Sequence, residues 1–540
     1  MSIDRVVRYH EETKHHFFRF ARAPGTMDWA NQPSPFRRYA GAPRVRLAIL
    51  PPCESPRYEE LYLPGTIAQA PLQIRTLSRF LEYALAISAW KQAGDVRWAL
   101  RSNPSSGNLH PTEGYLLVGA LAGLAPFPAL CHYAADEHAL ELRAELPRKA
   151  FESLMRAFPA GAFLLGFASV NWRETWKYGE RAFRYCQHDI GHALGAARFA
   201  ARTLGWRMRL LDGASDDTIA ALLGIDRDAD FAGAEREHPD CLAVVWPGDA
   251  AVRLPATLSV PPAFRAATWH GSANRLSRDD PVQWPLLGEV EAASWKHSTE
   301  HALIDVQTAS RSGAARGGPA AGQVIRQRRS ALAFDAKTSV AAARFFGMLE
   351  CSMPRGMPLD VLGWAPAIHL ALFVHRVEGL PAGLYMLARD PARVGALRAA
   401  THPHFAWTPP PGCPADLPLF LLQEGDAREL AAQLSCRQEI AGDSAFSLGM
   451  IAEFEPRLRQ HGAWFYRRLF WEAGVIGQVL YLEAEAAGVR ATGIGCFFDD
   501  PVHDVLGFRD RAFQSLYHFT TGGPLDDPRL TTLPAYGIRA

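Results

Sequence analysis

Three short segments combine residue types able to grip a flat, phosphorylated ligand. The first, Arg101-Ser102-Asn103-Pro104-Ser105-Ser106-Gly107-Asn108-Leu109-His110-Pro111, reads as a loop between a helix and the strand Tyr115 to Val118. Pro104 fixes its own φ, while Ser105, Ser106 and Asn108 crowd hydroxyl, amide and backbone donors into one tight loop that can hydrogen-bond a polar heterocycle. The same composition also suits a turn that only connects two elements. The second, Arg326-Gln327-Arg328-Arg329-Ser330, sets guanidiniums beside a hydroxyl. That suits a phosphomonoester, because arginine presents its donors in a fixed fork, and a solvated basic turn is the competing reading. The third, Ala491-Thr492-Gly493-Ile494-Gly495-Cys496, would let a planar ligand approach backbone N–H groups at its two glycines.

Other constellations promise less. His188 and His192 share a helix face at i,i+4, as two metal ligands would, but no glutamate follows as in HExxH, so ordinary helix surface is preferred. Asp499-Asp500 near His503 has a counterpart in Asp216-Asp217 without the histidine, which favours a helix N-cap and turn. No metal is expected.

The elements that must position these segments come twice. Residues 183–224 and 466–507 align without a gap at an offset of 283, with nine of 42 positions identical, among them Arg184/Arg467, Gly191/Gly474, Gly205/Gly488, Asp216/Asp499 and Gly224/Gly507. Each copy reads as a long helix rich in small residues ending at a glycine, then a strand, an Asp-Asp turn and a short helix ending in Leu-Gly. Helical runs at Leu77 to Lys91 and Phe465 to Ala487 alternate with strand-like runs at Gly114 to Val118 and Ile368 to Val377. The expected class is α/β with a mixed sheet, in two homologous domains at 1–262 and 323–540 joined by a linker at 263–322, whose stretch 311–323 is rich in Gly, Ala and Arg.

Composition bounds the function. In 540 residues, 57 Lys+Arg against 56 Asp+Glu leave a formal charge of +1, so a nucleic-acid partner is not expected. The longest uncharged stretch, Gly114 to His132, is broken by Gly119, Gly123, Pro126 and Pro128 and reads as strand and turn, not as a membrane span. Eight cysteines stand without a CxxC, and the charged, His-rich N-terminus shows no secretory signal, so a reducing cytoplasm is expected.

Taken together, the segments resemble the nitroreductase family of FMN-dependent oxidoreductases, in the branch that includes azoline dehydrogenases of peptide-modifying systems. The family's PSSxNxxP motif is intact at Pro104 to Pro111, and its RRSxRxF motif appears as Arg328-Arg329-Ser330-Ala331-Leu332-Ala333-Phe334, with the third basic residue lost to Leu332. The glycine turn matches at Gly493, Ile494 and Gly495. The resemblance implies a three-layer α+β fold, one FMN per chain, and NAD(P)H as a transient electron donor to a small-molecule acceptor. Family members place FMN between two subunits, and here each copy lacks what the other keeps. The first has no RRS and carries Leu210 and Asp212 at the glycine positions; the second has no Ser-Ser-Gly-Asn. A monomeric pseudo-dimer with one composite site and one decayed site follows. The resemblance further points to Arg101 as a substitute for the lost basic residue, to Arg529 as a phosphate ligand after the last strand, and to Lys177-Tyr178 as the pair that moves a proton in azoline dehydrogenases.

Overall fold

In the computed structural model, residues 2–248, 254–255, 257–279, 282–299 and 317–537 are described. The N-terminal helix α1 (Ser2–Glu12) precedes the first copy. Helix α2 (Ile74–Ala84) is shorter than the apolar run suggested. Its continuation is a hairpin, β1 (Ile87–Ala93) and β2 (Val96–Arg101), turned at Gly94 with φ +55°, a conformation glycine adopts freely. The Pro-Ser-Ser loop therefore follows a strand, not a helix.

The first main sheet is built from β3 (Thr112–Val118), β4 (Ala129–Ala134), β5 (Ala139–Glu145) and β6 (Phe163–Ser169). After α3 (Asn171–Tyr178) and the long α4 (Ala182–Thr203) come β7 (Trp206–Leu210), α5 (Asp216–Leu223), β8 (His238–Pro247) and the short β9 (Thr268–Trp269). Strand order is β9-β5-β4-β3-β6-β8-β7. Strand β9 lies inside the expected linker, yet it hydrogen-bonds the edge of β5, so residues around 268 belong to the first copy. Residues 311–316 of the expected linker core lie outside the described residues.

The second copy opens with α6 (Ala321–Gln327) and α7 (Ala342–Cys351), followed by β10 (Ile368–Val374), β11 (Gly383–Leu387), β12 (Leu419–Glu424) and β13 (Phe446–Glu453). Then come α8 (Phe465–Ala486), β14 (Arg490–Ile494), α9 (Asp499–Leu506), β15 (Phe513–Gly522) and β16 (Thr531–Leu533). Its sheet runs β12-β11-β10-β13-β15-β14, which is the first sheet's β5-β4-β3-β6-β8-β7 repeated position by position. All neighbouring pairs in both main sheets are antiparallel, so the mixed sheet expected from the alternating pattern is replaced by an α+β arrangement.

Helices α4 and α8 pack against each other between the sheets. The repeated glycines meet there: a Cβ on Gly191 would lie 2.7 Å from the Cα of Gly474, and one on Gly474 would lie 2.7 Å from the Cα of Gly191. Two ion pairs repeat the symmetry. Arg184 Nη1 donates to Asp499 at 2.8 Å across the copies, and Arg467 Nη2 donates to Asp216 at 2.8 Å in the opposite sense. These aspartates are thus buried interface anions rather than the helix caps expected. Likewise every residue of α4 is buried, His188 and His192 included, so neither belongs to a helix surface. The C-terminal tail also crosses over: β16 pairs with β1, and Tyr536 Oη accepts from Ile87 N at 2.9 Å.

Candidate functional site

A cleft of about 420 Å³ lies where the two copies meet, within the range of small-molecule sites. Both halves build its wall. The first contributes Lys91, Arg101, Pro104 to Asn108, Tyr178, Tyr185, Asp189 and His192. The second contributes Arg328 to Leu332, Tyr481, Arg490 and Thr492 to Cys496. All three sequence motifs therefore converge on one space.

The Pro-Ser-Ser loop is held mostly by its own side chains. Ser105 Oγ accepts from His110 N at 2.8 Å, Asn108 Nδ2 donates to Ala99 O at 2.8 Å, and Ser106 N and Oγ donate to Asp189 Oδ1 at 3.1 and 3.3 Å. Its polar side chains are thus largely spent on shaping the loop. Gly107 and Asn108 sit at φ +58° and +60°, where glycine and asparagine are the tolerant residues. Burial raises the Asp189 carboxyl to about 7, against the hydrogen bonds from Ser105 and Ser106 that lower it.

On the opposite wall, Arg328 is 3% exposed and donates from Nη2 to Arg101 O at 2.8 Å, joining the two motifs across the copies. Ser330 Oγ and Tyr481 Oη are 2.9 Å apart, and Tyr481 Oη accepts from Gly493 N at 2.9 Å. Arg329 Nη1 and Nη2 donate to Ser88 Oγ and O at 3.2 and 3.1 Å, which ties the motif to β1. Arg101 donates from Nη2 to Pro35 O at 2.6 Å. Among the described residues, Arg101, Arg328 and Arg329 have no carboxylate within ion-pair distance, and Nε of Arg101 and of Arg328 is buried without a partner. That is a costly arrangement for cations unless an anion joins them. Burial accordingly lowers the Arg328 and Arg329 pKa values, Arg329 to about 10.

The glycines line the cleft and also meet a packing demand. A Cβ on Gly493 would lie 2.0 Å from Tyr517 Oη, and one on Gly495 would lie 2.3 Å from Tyr185 Cε1, so their bareness first admits two tyrosine rings. Ile494 is buried on β14. Tyr178 rests on the loop, its hydroxyl 2.5 Å from where a Cβ of Gly107 would stand. Burial, then the neighbouring Glu174 and Tyr185, push its hydroxyl pKa well up. Lys177 is outside the cleft wall, with Nζ 5.2 Å from the Tyr178 ring centroid. Arg529 is exposed, pairs with Asp527 at 2.7 Å and does not line the cleft. An arginine on a surface turn beside its own aspartate has no reason to fold inward.

Sequence reasoning missed Lys91 and Arg490, which line the cleft and the adjoining cavity beside Arg329. It also missed Tyr481, Tyr185, Asp189 and His192. Position 91 was read as the end of a helix; the Ala93-Gly94-Asp95 turn was the signal that it lies on a hairpin strand. The cysteines do not all stand alone: Cys436 and Cys496, 60 residues apart, are joined as a disulfide at the cleft's edge.

The related position in the other half is filled. Asp212, the counterpart of Gly495, accepts from Arg468 Nε at 2.9 Å, and Arg468, the counterpart of Tyr185, lies 4.1 Å from the Trp471 ring centroid. An ion pair thus stands where, on the other side, a tyrosine ring packs against bare backbone.

Residues 72–234 match the model of the nitroreductase family. A candidate nitroreductase from Anabaena variabilis has the same fold over 96% of this chain and 99% of its own, at 21% identity and a TM-score of 0.69. A second candidate nitroreductase, from Ralstonia eutropha, aligns over 42% of this chain and 98% of its own at 16% identity and a TM-score of 0.26. The E. coli microcin synthetase McbBCD complex aligns over 45% of this chain and 80% of its own at 19% identity and a TM-score of 0.26. Curated proteins return no match. Among the described residues, no helix is long and apolar enough to cross a membrane.

Proposed function

We propose that the chain is an FMN-dependent oxidoreductase passing a hydride between NAD(P)H and a small organic acceptor such as a nitro or quinone compound. One observation carries this reading: the buried guanidiniums of Arg101 and Arg328 and the half-buried one of Arg329, supplied by both copies and without carboxylate partners among the described residues, converge on a single cleft. That donor set fits a phosphorylated cofactor. Arg328 and Ser330, with Arg329, Lys91 and Arg490 near the mouth, would hold the phosphate and ribityl chain. Pro104 to Asn108 and Gly493 to Gly495 would hold the ring between the copies, with Arg101 behind the loop. Bound FMN supplies a ring that accepts and returns a hydride.

The protein's own part is to position and to exclude water. Tyr178, Tyr185 and Tyr517 line the apolar wall, and the raised pKa of Tyr178 keeps its proton on Oη at neutral pH. A dehydrogenase acting on a peptide-derived azoline is the second reading, supported by Tyr178 facing the cleft with Lys177 beside it. Flavin released by heat should approach one per chain, and a value near zero or two would overturn the composite site. Anaerobic mixing with NADH and NADPH should then bleach the flavin; a flavin that stays oxidised with both donors would favour the dehydrogenase.

A further inference from the structure

The Cys436–Cys496 pair has no part in the reading above, and its surroundings single it out. Three chain segments distant in sequence bring it together: the loop after residue 434, the end of β14 beyond Gly495, and the N-terminal leader. His15 Nδ1 lies 3.5 Å from Cys496 Sγ and 3.9 Å from Cys436 Sγ. His15 itself is buried and fixed at its backbone, where its N–H donates to Asp499 Oδ2 at 2.9 Å. Cys496 lines the cleft, and both cysteines are half-buried, so a small molecule entering the cleft can reach them.

The backbone at the pair is strained. Cys436 and Arg437 stand at φ +54° and +61°, two consecutive non-glycine residues in the left-handed region, which disfavours both. Such strain persists where the surroundings impose it. Gln438 Nε2 does so here, donating to Ser435 O at 2.9 Å and to Cys496 O at 3.1 Å and so tying the two cysteine segments together independently of the sulfurs. The thiols would therefore remain adjacent after reduction. An additional disulfide is not needed to hold the fold, since the joint between the copies is already made by α4, α8 and the paired ion bridges.

We infer that Cys436 and Cys496 form a reversible dithiol–disulfide centre in the wall of the cleft, exchanging an electron pair with small thiols, with the His15 ring packed beside both sulfurs. In the forward direction, a thiolate from the small thiol attacks one sulfur of the pair and breaks the S–S bond, giving a mixed disulfide and one cysteine thiolate that takes a proton. A second small thiol releases the other cysteine as a thiol. Two thiols are oxidised to one disulfide, and the protein disulfide is reduced to two thiols by the same two electrons. In the reverse direction, one cysteine gives its proton to water, its thiolate attacks a small disulfide and releases one small thiol, and the second cysteine displaces the other small thiol to close the S–S bond. Burial, and then the Arg181 charge, lower the His15 pKa to about 3, so the ring beside the sulfurs is neutral at pH 7 and is a packed neighbour rather than a base.

The test uses the folded full-length protein with a chelator present. It is equilibrated anaerobically in graded ratios of reduced to oxidised dithiothreitol, acid-quenched, alkylated and mapped by mass spectrometry. Cys436 and Cys496 should switch together in a two-electron transition, while exposed Cys53 is alkylated in every buffer and serves as control. A pair that stays oxidised in excess reduced dithiothreitol until the protein is unfolded is structural, and overturns the inference. So does a pair that stays reduced in excess oxidised dithiothreitol. Thiol mapping needs no flavin, so this test succeeds or fails independently of the proposed activity.

Discussion

Replacing Gly191 with alanine tests the joint on which the composite site depends. The new Cβ would stand 2.3 Å from Trp471 O and 2.7 Å from Gly474 Cα, both backbone atoms of α8 that no rotamer change can move. Ordinary contact lies near 3.5 Å, so the helices must part by about 1 Å. Alanine in place of glycine in a helix would by itself gain up to about 1 kcal/mol. Overpacking of a tight interface costs about 1 to 3 kcal/mol, and here it falls on rigid backbone, so we expect a net loss of about 1 to 2 kcal/mol. Tyr185, Asp189 and His192 ride on the same helix and line the cleft, so flavin retention should fall as well. Urea denaturation followed by tryptophan fluorescence gives the stability, and flavin content after dialysis gives the site. Gly395→Ala is the control: this helical glycine has nothing within 4 Å of the added Cβ, so the substitution should stabilise by up to about 1 kcal/mol. If Gly191→Ala matches the control in sign and keeps its flavin, the close approach of α4 and α8 does not hold the cleft.

Three further outcomes are expected. Arg328→Ala should weaken flavin retention about ten- to a hundredfold, the value of one or two charge-assisted bonds, with the fold intact by circular dichroism. Asp212→Ala should cost about 3 to 5 kcal/mol in denaturation, because it strands the buried Arg468, yet leave flavin stoichiometry at one per chain. For Asp189, the folded pKa of about 7 lies above its ordinary 3.8, so its contribution to stability is full below pH 3.8 and is lost as pH rises through 7. Asp189→Asn should remove that fall, raising stability at pH 8 relative to pH 4 by at most about 4 kcal/mol against the parent chain, as read from parallel denaturation series.

Much of this was legible where residue type alone dictates geometry. Pro104, Gly107 and Asn108 announce a loop with left-handed positions, and the glycines at 205, 224, 488 and 507 all end helices at positive φ as the pattern required. What stayed hidden depends on partners far away in the chain. Ile87 to Lys91 has a run of apolar residues that a helix would also accept, and only its pairing with β2 and the distant β16 makes it a strand. That misreading concealed Lys91. The histidines and arginines of α4 look like a solvated face because their neutralising groups, Asp499, Asp360 and Tyr517, are more than 150 residues away. The cysteine pair has no spacing signal for the same reason, since 60 residues and five secondary-structure elements separate its members.

The two halves show how a symmetric framework can hold an asymmetric site. What repeats is what binds copy to copy: the glycine crossing of α4 with α8 and the reciprocal pairs Arg184–Asp499 and Arg467–Asp216. One difference falls on two positions that must change together. On the open side Tyr185 packs where a Cβ on Gly495 would stand 2.3 Å away, so the ring and the bare backbone require each other. On the closed side the same two positions hold Arg468 and Asp212, and neither could be buried without the other. An aspartate at 495 would meet the Tyr185 ring without a cation to neutralise it, while a glycine at 212 would leave Arg468 unpaired beside Trp471. Each side is self-consistent and the mixtures are not. The contacts between the copies are therefore shared by both halves, and this asymmetry between the two sides rests on one pair of facing residues on each.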